Sequence, residues 1–221
     1  MRVLLISTTF LPQFGGVERF LANLFGQRED IHVDVLTEPG ADVVAGWKMI
    51  RTPLLTGKIR PRWLGTYKSF KHYTEKHDYD LIVLGHYAPY LAAALRCRKK
   101  YGTKVVVITH GMDVLSYDTA GGVRRRMLRK NLPQADLVIA NSNFTNTHLQ
   151  RLGVAESRRV IITPGADLPE TVVSKAEART TLKLPQDAQL LLSVGRLVQR
   201  KGHVLAIDAF ASLTEKYPNL H

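Results

Sequence analysis

The sequence has little cysteine and no long apolar segment. Its single cysteine, Cys97, cannot form an internal disulfide, and the chain contains no zinc-ligand spacing. The apolar stretch near the N-terminus, Val3–Ile6, is too short for a secretory signal, and nothing approaches the ~20 apolar residues that span a bilayer. These absences predict a cytoplasmic protein that contacts a membrane at most peripherally, on its inner face.

Acidic residues are also scarce relative to basic ones. The chain has 19 Asp and Glu residues against 31 Lys and Arg, which gives a formal net charge of +12. Such an excess favours anionic partners, a class that includes nucleic acid, acidic lipid headgroups and phosphorylated small molecules. The hydrophobic content of 45% is that of a globular protein.

Short apolar runs rich in β-branched residues alternate with segments of helical length. Because the runs are continuous, as in strands buried on both faces, they predict an α/β fold with a doubly wound, Rossmann-like parallel sheet. The predicted strands are Val3–Ser7, His32–Leu36, Lys48–Arg51, Leu81–Leu84, Lys104–Thr109, Leu137–Ala140 and Val160–Thr163. The predicted helices are Val17–Phe25, Arg62–His77, Pro89–Tyr101, Gly122–Leu132 and Asn143–Leu152. In such sheets, ligands bind beyond the carboxyl ends of the strands.

The alternation lapses after Pro164 and begins again near the end of the chain. We interpret residues 1–169 as a first Rossmann-like domain and residues 170–187 as a linker, which can contain one short helix at Ser174–Leu182. Residues 188–221 begin a second, incomplete Rossmann-like domain, with a strand at Leu190–Val194 and a helix at His203–Tyr217.

The loop after the first predicted strand contains the adjacent glycines Gly15 and Gly16. Without Cβ atoms these residues let a ligand approach the backbone, and the helix start behind them suits a phosphate. A tight turn explains the glycines equally well. Glu18 lies in the first helical turn, where the helix dipole favours a carboxylate in any case. The loop lacks the Gly-x-Gly-x-x-Gly fingerprint of dinucleotide-binding proteins.

Three further loops place polar residues or glycine after predicted strands. His110 is followed by a glycine, which leaves room for a ligand beside the ring, and Asp113 either caps the next segment or orients His110. Ser142 is a candidate binding residue, although a helix N-cap at Ser142 or Asn143 explains both residues without any function. Gly165 and Asp167 follow the last strand of the first domain, where a turn is the simpler interpretation.

Two cations lie in the loop that follows the predicted strand Leu190–Val194. Arg196 offers a planar fork of donors and Lys201 a compact charge, and both suit phosphate oxygens. The flanking residues Gly195 and Gly202 allow the backbone to approach a ligand. A solvent-exposed basic loop is the alternative interpretation.

The order of these loops along the chain resembles that of the family-four retaining glycosyltransferases. The motifs are Gly-Gly-Val-Glu, His-Gly-x-Asp, Asn-Ser-x-Phe-Thr, Pro-Gly-x-Asp and Gly-Arg-Leu-x-x-x-Lys-Gly. The last of them, at Gly195–Gly202, is the most specific. The family includes bacterial mannosyltransferases and sugar transferases for lipopolysaccharide or capsule, and the resemblance covers the whole chain.

The resemblance implies a GT-B enzyme that moves a sugar, with retention, from a nucleotide-diphosphate donor to a glycan, glycolipid or lipid-linked acceptor. Gly15 and Gly16 would contact the donor diphosphate or the acceptor. His110 would stabilise positive charge that develops at the anomeric carbon. Arg196 and Lys201 would neutralise the leaving diphosphate. No metal or other cofactor is expected, in keeping with the family's metal-independent chemistry.

The family's Glu-x7-Glu segment, which holds the sugar and the nucleotide ribose, does not occur before His221. The chain by itself is therefore expected to be an inactive piece of an enzyme. Because Leu190–Val194 is apolar and would lack partners, we expect residues from about Asp187 onward either to form a dimer or to belong to a longer molecule.

Two other functions stay open: a GT-B-type sugar-nucleotide epimerase, and a non-catalytic basic module that binds acidic lipid or nucleic acid. Nucleic acid is not expected, because the basic residues are scattered over helices rather than interleaved with aromatic ones on a sheet. The basic helix Arg62–His77 either lies on an acidic membrane or packs on the sheet with a solvated face. The basic run Arg124–Lys130 favours an anionic acceptor.

Overall fold

The structure is a computed structural model that describes residues 1–12, 15–26, 30–39, 44–53, 62–87, 90–119, 121–166 and 171–221. The chain divides into two compact units, Met1–Ala166 and Asp167–His221. The division lies close to the end of the first predicted domain at residue 169. None of the helices in the described ranges is long and apolar enough to cross a membrane.

The first unit is built on a seven-stranded parallel sheet, which confirms the predicted fold class. Its strands are β1 (Arg2–Ile6), β2 (His32–Thr37), β3 (Lys48–Arg51), β4 (Leu81–Leu84), β5 (Lys104–Thr109), β6 (Leu137–Ala140) and β7 (Arg159–Ile161). Their order across the sheet is β3-β2-β1-β4-β5-β6-β7, and every neighbouring pair is parallel. The order reverses between β1 and β4, and this topological switch point is where doubly wound folds bind their ligands.

The helices of the first unit follow the predicted pattern with one addition. They are α1 (Gly16–Phe25), α2 (Arg62–Lys76), α3 (Leu91–Tyr101), α4 (Met112–Thr119), α5 (Gly122–Asn131) and α6 (Asn143–Arg151). The sequence does not predict α4, which has 8 residues. Of its described side chains only Val114 is fully buried, so the helix has little apolar periodicity to reveal it.

The alternating side chains of β1 show how the sheet is covered on both faces. Leu4 and Ile6 belong to an apolar cluster with side chains of α2, α3, α5 and α6, whereas Val3 and Leu5 pack in a second cluster with Leu21 of α1. All five side chains are fully buried. Burial of each is worth about 1.5–3 kcal/mol, so the pattern strongly favours one register of the strand.

The aromatic side of α2 packs on the sheet. Phe70 and Thr74 are buried, and Tyr67 is partly buried against the same cluster. These side chains are therefore unavailable to a lipid surface. For them the interpretation that the basic helix packs on the sheet is correct. Lys68 is exposed, and Lys71 forms an ion pair with Glu75 at 3.7 Å.

A buried carboxylate near the middle of β2 joins that strand to β3 and to the segment that precedes β4. Asp34 Oδ2 accepts hydrogen bonds from Tyr79 Oη at 2.6 Å and from Lys48 Nζ at 2.8 Å. Burial by itself raises the pKa of Asp34, but the hydrogen bonds from Lys48 and Tyr79 outweigh it and hold that pKa below its ordinary value. Burial and the contact with Asp34 raise the pKa of Tyr79 well above its ordinary value. Asp34 is thus ionised and paired at neutral pH.

The second unit contains the helices α7 (Lys175–Thr181) and α8 (His203–Thr214). Arg179 of α7 is buried and donates hydrogen bonds to the backbone carbonyls of Pro185, Gln186 and Ala188, the last at 2.6 Å. The guanidinium thus ties α7 to the segment that follows it. The predicted linker therefore contains a helix that packs within the second unit.

The predicted strand at Leu190–Val194 is wrong for this structure. Gln189 forms an isolated parallel bridge with Leu220, and Leu191 N–H donates to the carbonyl of His221 at 2.8 Å. A β-strand requires a ladder of hydrogen bonds to a neighbour, and this short pairing is the one found among the described residues of the second unit. Leu192 and Val194 remain 89% and 82% exposed.

Candidate functional site

The strand order brings several of the candidate loops to one edge of the sheet. β1, β4, β5 and β6 are consecutive neighbours, and because all are parallel their carboxyl ends lie at the same edge. Neighbouring strands are about 4.8 Å apart, so the ends of β1 and β5 are separated by roughly 10 Å. The loops that carry Gly15, His110 and Ser142 therefore begin close together beside the switch point.

His110 follows β5 and is held by three contacts. Its Nε2–H donates to the carbonyl of Gly85 at 2.9 Å, and because a carbonyl only accepts, the ring proton lies on Nε2. The ring meets Phe20 of α1 edge to face, with 6.1 Å between ring centroids. The backbone N–H donates to Asp113 Oδ1 at 3.0 Å. These contacts fix the ring beside α1.

Asp113 organises the loop around His110 and does not touch its ring nitrogens. Besides the N–H of His110, Asp113 Oδ1 accepts the N–H of Val114 at 2.8 Å. In the described part of the chain, Asp113 Oδ2 is buried and has no hydrogen-bond partner. Burial raises the pKa of Asp113, although His110 and the backbone N–H of Val114 act in the opposite direction. The carboxylate therefore both stabilises the start of α4 and orients the His110 backbone.

Gly111 joins the His110 loop to the start of α6. Its φ is +87°, and a Cβ at this position would lie 3.1 Å from Thr145 Oγ1. Thr145 is fixed in turn, because its hydroxyl donates to Asn141 Oδ1 at 2.7 Å and its N–H donates to Ser142 Oγ at 3.2 Å. Ser142 is the N-cap of α6, as predicted. Only glycine meets both requirements at residue 111 without strain.

The glycine pair Gly15 and Gly16 lies at the start of α1, the helix that follows β1. Gly15 is the N-cap residue, and a Cβ there would collide with the carboxylate of Glu18, which folds back over it. Glu18 in turn accepts a hydrogen bond from the hydroxyl of Thr9. Among the described residues, a Cβ at Gly16 would meet nothing within 4 Å. The first turn of α1 therefore has room beside Gly16, while the Glu18 carboxylate lies against Gly15, and the N–H groups of a helix start are suited to a phosphate.

His86 is a further residue at this edge that the motifs do not indicate. It follows β4, its Nδ1 lies 2.9 Å from Ser7 Oγ, and its ring centroid is 6.0 Å from that of His110. Burial and the neighbouring His110 lower the pKa of His86, although Glu18 acts in the opposite direction. Its place in the loop that follows a buried strand was the available signal, because His110 also lies in such a loop.

The candidate loop after β7, which carries Gly165 and Asp167, shows no contact that supports a binding role among its described residues. Gly165 follows β7 at the outer end of the strand order and is exposed, and a Cβ there would meet no described residue within 4 Å. Asp167 lies outside the described residues. The structure therefore leaves the turn interpretation of Gly165 in place.

In the second unit, Arg196 and Lys201 are exposed in one loop that ends at the start of α8. The side chain of Lys201 passes within 3.6 Å of the position that a Cβ on Gly195 would occupy. His203, which sequence reasoning missed, braces this loop. Its Nδ1 lies 2.9 Å from Ser193 Oγ and its Nε2 lies 3.2 Å from the carbonyl oxygen of Arg196. Within the described ranges, no three His, Cys, Asp or Glu side chains are grouped as they would be around a metal ion.

A seven-stranded parallel sheet with this order defines the doubly wound, Rossmann-like class of α/β proteins. Residues 14–170 match the family described as Glycosyltransferase Family 4, and the chain belongs to that family.

Curated relatives and solved structures agree with this assignment. The chain is 25% identical over 235 residues to a GDP-mannose-dependent alpha-(1-6)-phosphatidylinositol monomannoside mannosyltransferase of Mycobacterium tuberculosis, covering 97% of the chain and 58% of the relative. It is 32% identical over 155 residues to a D-inositol 3-phosphate glycosyltransferase of Nocardiopsis dassonvillei, covering 66% of the chain and 36% of the relative.

Among solved structures, Anabaena Alr3699/HepE in complex with UDP-glucose gives a TM-score of 0.68 at 21% identity, covering 100% of the chain and 59% of that structure. WaaG, a glycosyltransferase involved in lipopolysaccharide biosynthesis, gives 0.66 at 21% identity, covering 99% and 61%. These two likenesses show the GT-B fold. The chain spans 58% of the length of the mannosyltransferase it matches.

Proposed function

We propose that the intact protein transfers a sugar from a nucleotide-diphosphate donor to a hydroxyl group of a glycan, glycolipid or lipid-linked acceptor, with retention of anomeric configuration. The observation that supports it best is the arrangement at the switch point. There, Phe20 of α1, the helix that begins at Gly16, lies edge to face against the fixed ring of His110.

In this proposal each group of residues has one task. The N–H groups at Gly15 and Gly16 hold phosphate or acceptor oxygens, because a helix N-terminus attracts negative charge. His110 lies against the transferred sugar and stabilises positive charge at the anomeric carbon. Arg196 and Lys201 offset the negative charge that grows on the leaving diphosphate. Transfer in this scheme uses no metal ion, so chelation with EDTA is expected to leave it unchanged.

The names of the relatives guide the choice of substrates. GDP-mannose is the donor named for the mycobacterial relative, and D-inositol 3-phosphate is named for the other. UDP-glucose is bound in one similar structure. Neither a sugar-nucleotide epimerase nor a non-catalytic basic module is favoured, because both curated relatives carry glycosyltransferase names.

The test is a matrix of donors and acceptors on the intact protein. GDP-mannose and UDP-glucose are each incubated with D-inositol 3-phosphate and with phosphatidylinositol monomannoside, and products are identified by mass spectrometry. Proton NMR of the product reports whether the anomeric configuration is retained. Inversion would refute the retaining mechanism, and the absence of any transfer product would refute the proposed activity.

Two neighbouring cations provide a matched pair of variants. Lys201→Ala is expected to lower kcat by about 100- to 1,000-fold, the range seen when one preorganised charge-stabilising group is removed. Arg200→Ala removes a similar charge from the adjacent residue, which is also exposed but lies outside the Gly-Arg-Leu-x-x-x-Lys-Gly pattern. It is expected to leave kcat close to that of the wild type. Equal losses in the two variants would mean that only the overall charge of the loop matters.

An anionic surface is a proposed partner of α5. This helix exposes Val123 and Met127 together with its basic side chains, whereas Phe70 of α2 is buried and Tyr67 is partly buried. Arg125 and Arg129 lie 2.9 and 3.9 Å from Asp118, so part of the charge is already paired. Exposed apolar side chains between cations are the features by which a helix binds acidic lipid headgroups.

A further inference from the structure

His86 lies at the point where the strand order of the sheet reverses. Ile6 of β1 is paired with Leu84 of β4, and the contact of 2.9 Å between Ser7 Oγ and His86 Nδ1 joins the two strand ends beyond that pair. The His86 ring is partly exposed and lies 6.0 Å from the His110 ring, between centroids. A substrate bound at the switch point would therefore lie beside both rings.

The hydrogen bonds of Ser7 determine which nitrogen of His86 carries the proton. The Ser7 hydroxyl has one proton, which it donates to the carbonyl of Thr9 at 2.7 Å. Because that carbonyl only accepts, Ser7 Oγ must accept its second hydrogen bond from His86 Nδ1–H. In a neutral ring, Nε2 then has a lone pair and no proton. Among the described residues, no hydrogen bond is made to His86 Nε2.

The surroundings keep the His86 ring neutral. Burial lowers the pKa of His86, and the nearby His110 lowers it further, against the opposing effects of Glu18 and Asp113. At neutral pH the ring thus keeps an acceptor at Nε2. His110 has the opposite arrangement, because its Nε2–H is donated to Gly85. The two rings are therefore chemically different, and because no described residue donates to His86 Nε2, its lone pair can accept a hydrogen bond from a bound molecule.

We propose that His86 Nε2 accepts a hydrogen bond from a hydroxyl group of the acceptor substrate and so orients that substrate beside the sugar at His110. This inference rests on the proposed function. It specifies the acceptor class as a polyol or sugar with a free hydroxyl at that position. It also makes His86 a residue for acceptor recognition, with no part in holding the donor.

Two substitutions at His86 test the roles of its two ring nitrogens separately. The amide of His86→Asn can keep the contact with Ser7 but places nothing at Nε2, whereas the longer His86→Gln can place its amide oxygen there. With GDP-mannose as donor and D-inositol 3-phosphate as acceptor, His86→Asn is expected to raise the acceptor KM about tenfold and to leave the donor KM unchanged. His86→Gln is expected to recover most of the loss.

Monodeoxy analogues of D-inositol 3-phosphate identify the hydroxyl itself. One analogue is expected to lose about tenfold in kcat/KM with the wild type and nothing further with His86→Asn, since the partner is already absent. Equal kinetics for the Asn and Gln variants, or a deoxy effect that persists in His86→Asn, would overturn the inference.

A spectroscopic measurement tests the inference without turnover. In protein labelled with 15N-histidine, two-bond proton–nitrogen correlations are expected to show His86 with its proton on Nδ1. Addition of D-inositol 3-phosphate is expected to shift its Nε2 resonance. A proton on Nε2, or an unchanged Nε2 resonance, overturns the inference even if the enzyme transfers sugar. If the Nε2 resonance shifts but no sugar is transferred, the proposed function is overturned and the inference about His86 is not.

Discussion

Gly111→Ala is expected to damage both stability and catalysis, because residue 111 adopts φ +87° and its Cβ would lie 3.1 Å from Thr145 Oγ1. An L-residue in this conformation costs about 1–2 kcal/mol. The contact adds on the order of 1 kcal/mol, because Thr145 is held by Asn141 and Ser142 and cannot move away freely. The total is about 2–3 kcal/mol, and a displaced His110 is expected to lower kcat by about 10- to 100-fold.

Gly102→Ala is the matched control. Gly102 has φ +75° and a Cβ there would meet nothing within 4 Å, so only the backbone cost applies. It precedes β5, whereas His110 follows it, and the 6 residues of the strand separate the two positions by roughly 20 Å. Urea denaturation is therefore expected to show that Gly111→Ala is less stable than Gly102→Ala by about 1 kcal/mol. Activity assays are expected to show a lowered kcat only for Gly111→Ala. Equal destabilisation, or equal kcat, would refute the assignment of the contact with Thr145.

Three further outcomes are expected. His110→Ala lowers kcat by at least about 100-fold and changes the donor Kd, measured by calorimetry, only slightly. A change confined to KM would instead make His110 a binding residue. Replacing Arg125 and Arg126 with Gln abolishes sedimentation with acidic liposomes at low salt. The same change at Lys68 and Lys71 does not. If neither change affects sedimentation, or if the parent protein does not bind, the exposed face of α5 only contacts solvent. Asp34→Asn destabilises the protein by about 1–3 kcal/mol at pH 7 in urea titrations. Because the folded pKa of Asp34 is depressed, its contribution is present above the ordinary value of 3.8 and is lost as pH falls through the folded pKa. A difference that is the same at pH 3 and pH 7 would exclude this origin.

Strands buried on both faces were predictable because their apolar composition is local information. Leu81–Leu84, Lys104–Thr109 and Leu137–Ala140 begin and end in the structure where the sequence places them. The N-cap role of Ser142 was predictable for the same reason, since capping depends on a few neighbouring residues. Leu190–Val194 shows the limit. It has a strand's composition, but a strand also depends on neighbours elsewhere in the chain, which no local pattern reveals.

The site was predictable only where a motif marks it. His110 is followed by glycine at a strand end, and this pattern was sufficient to single it out. His86 comes two residues after the end of β4 without such a pattern, and its proposed role depends on a hydrogen bond that its Nδ1–H donates to Ser7, 79 residues away. His203 likewise acts through contacts with Ser193 and Arg196 that depend on how the loop folds. Hydrogen-bond roles of this kind arise from three-dimensional proximity.

The position of β1 in the middle of the sheet has a consequence for synthesis on the ribosome. β1 can pair with β2 as soon as Thr37 has been made, but its other edge pairs with β4, and the N–H of Arg2 bonds to Asp80, 78 residues later. At about 5–20 residues per second, that edge waits roughly 4–16 seconds for its partner. During this interval a nascent chain presents an apolar strand edge to its surroundings. The crevice of the switch point closes only when β4 arrives, so translation speed between Arg51 and Leu84 is expected to influence the yield of folded protein.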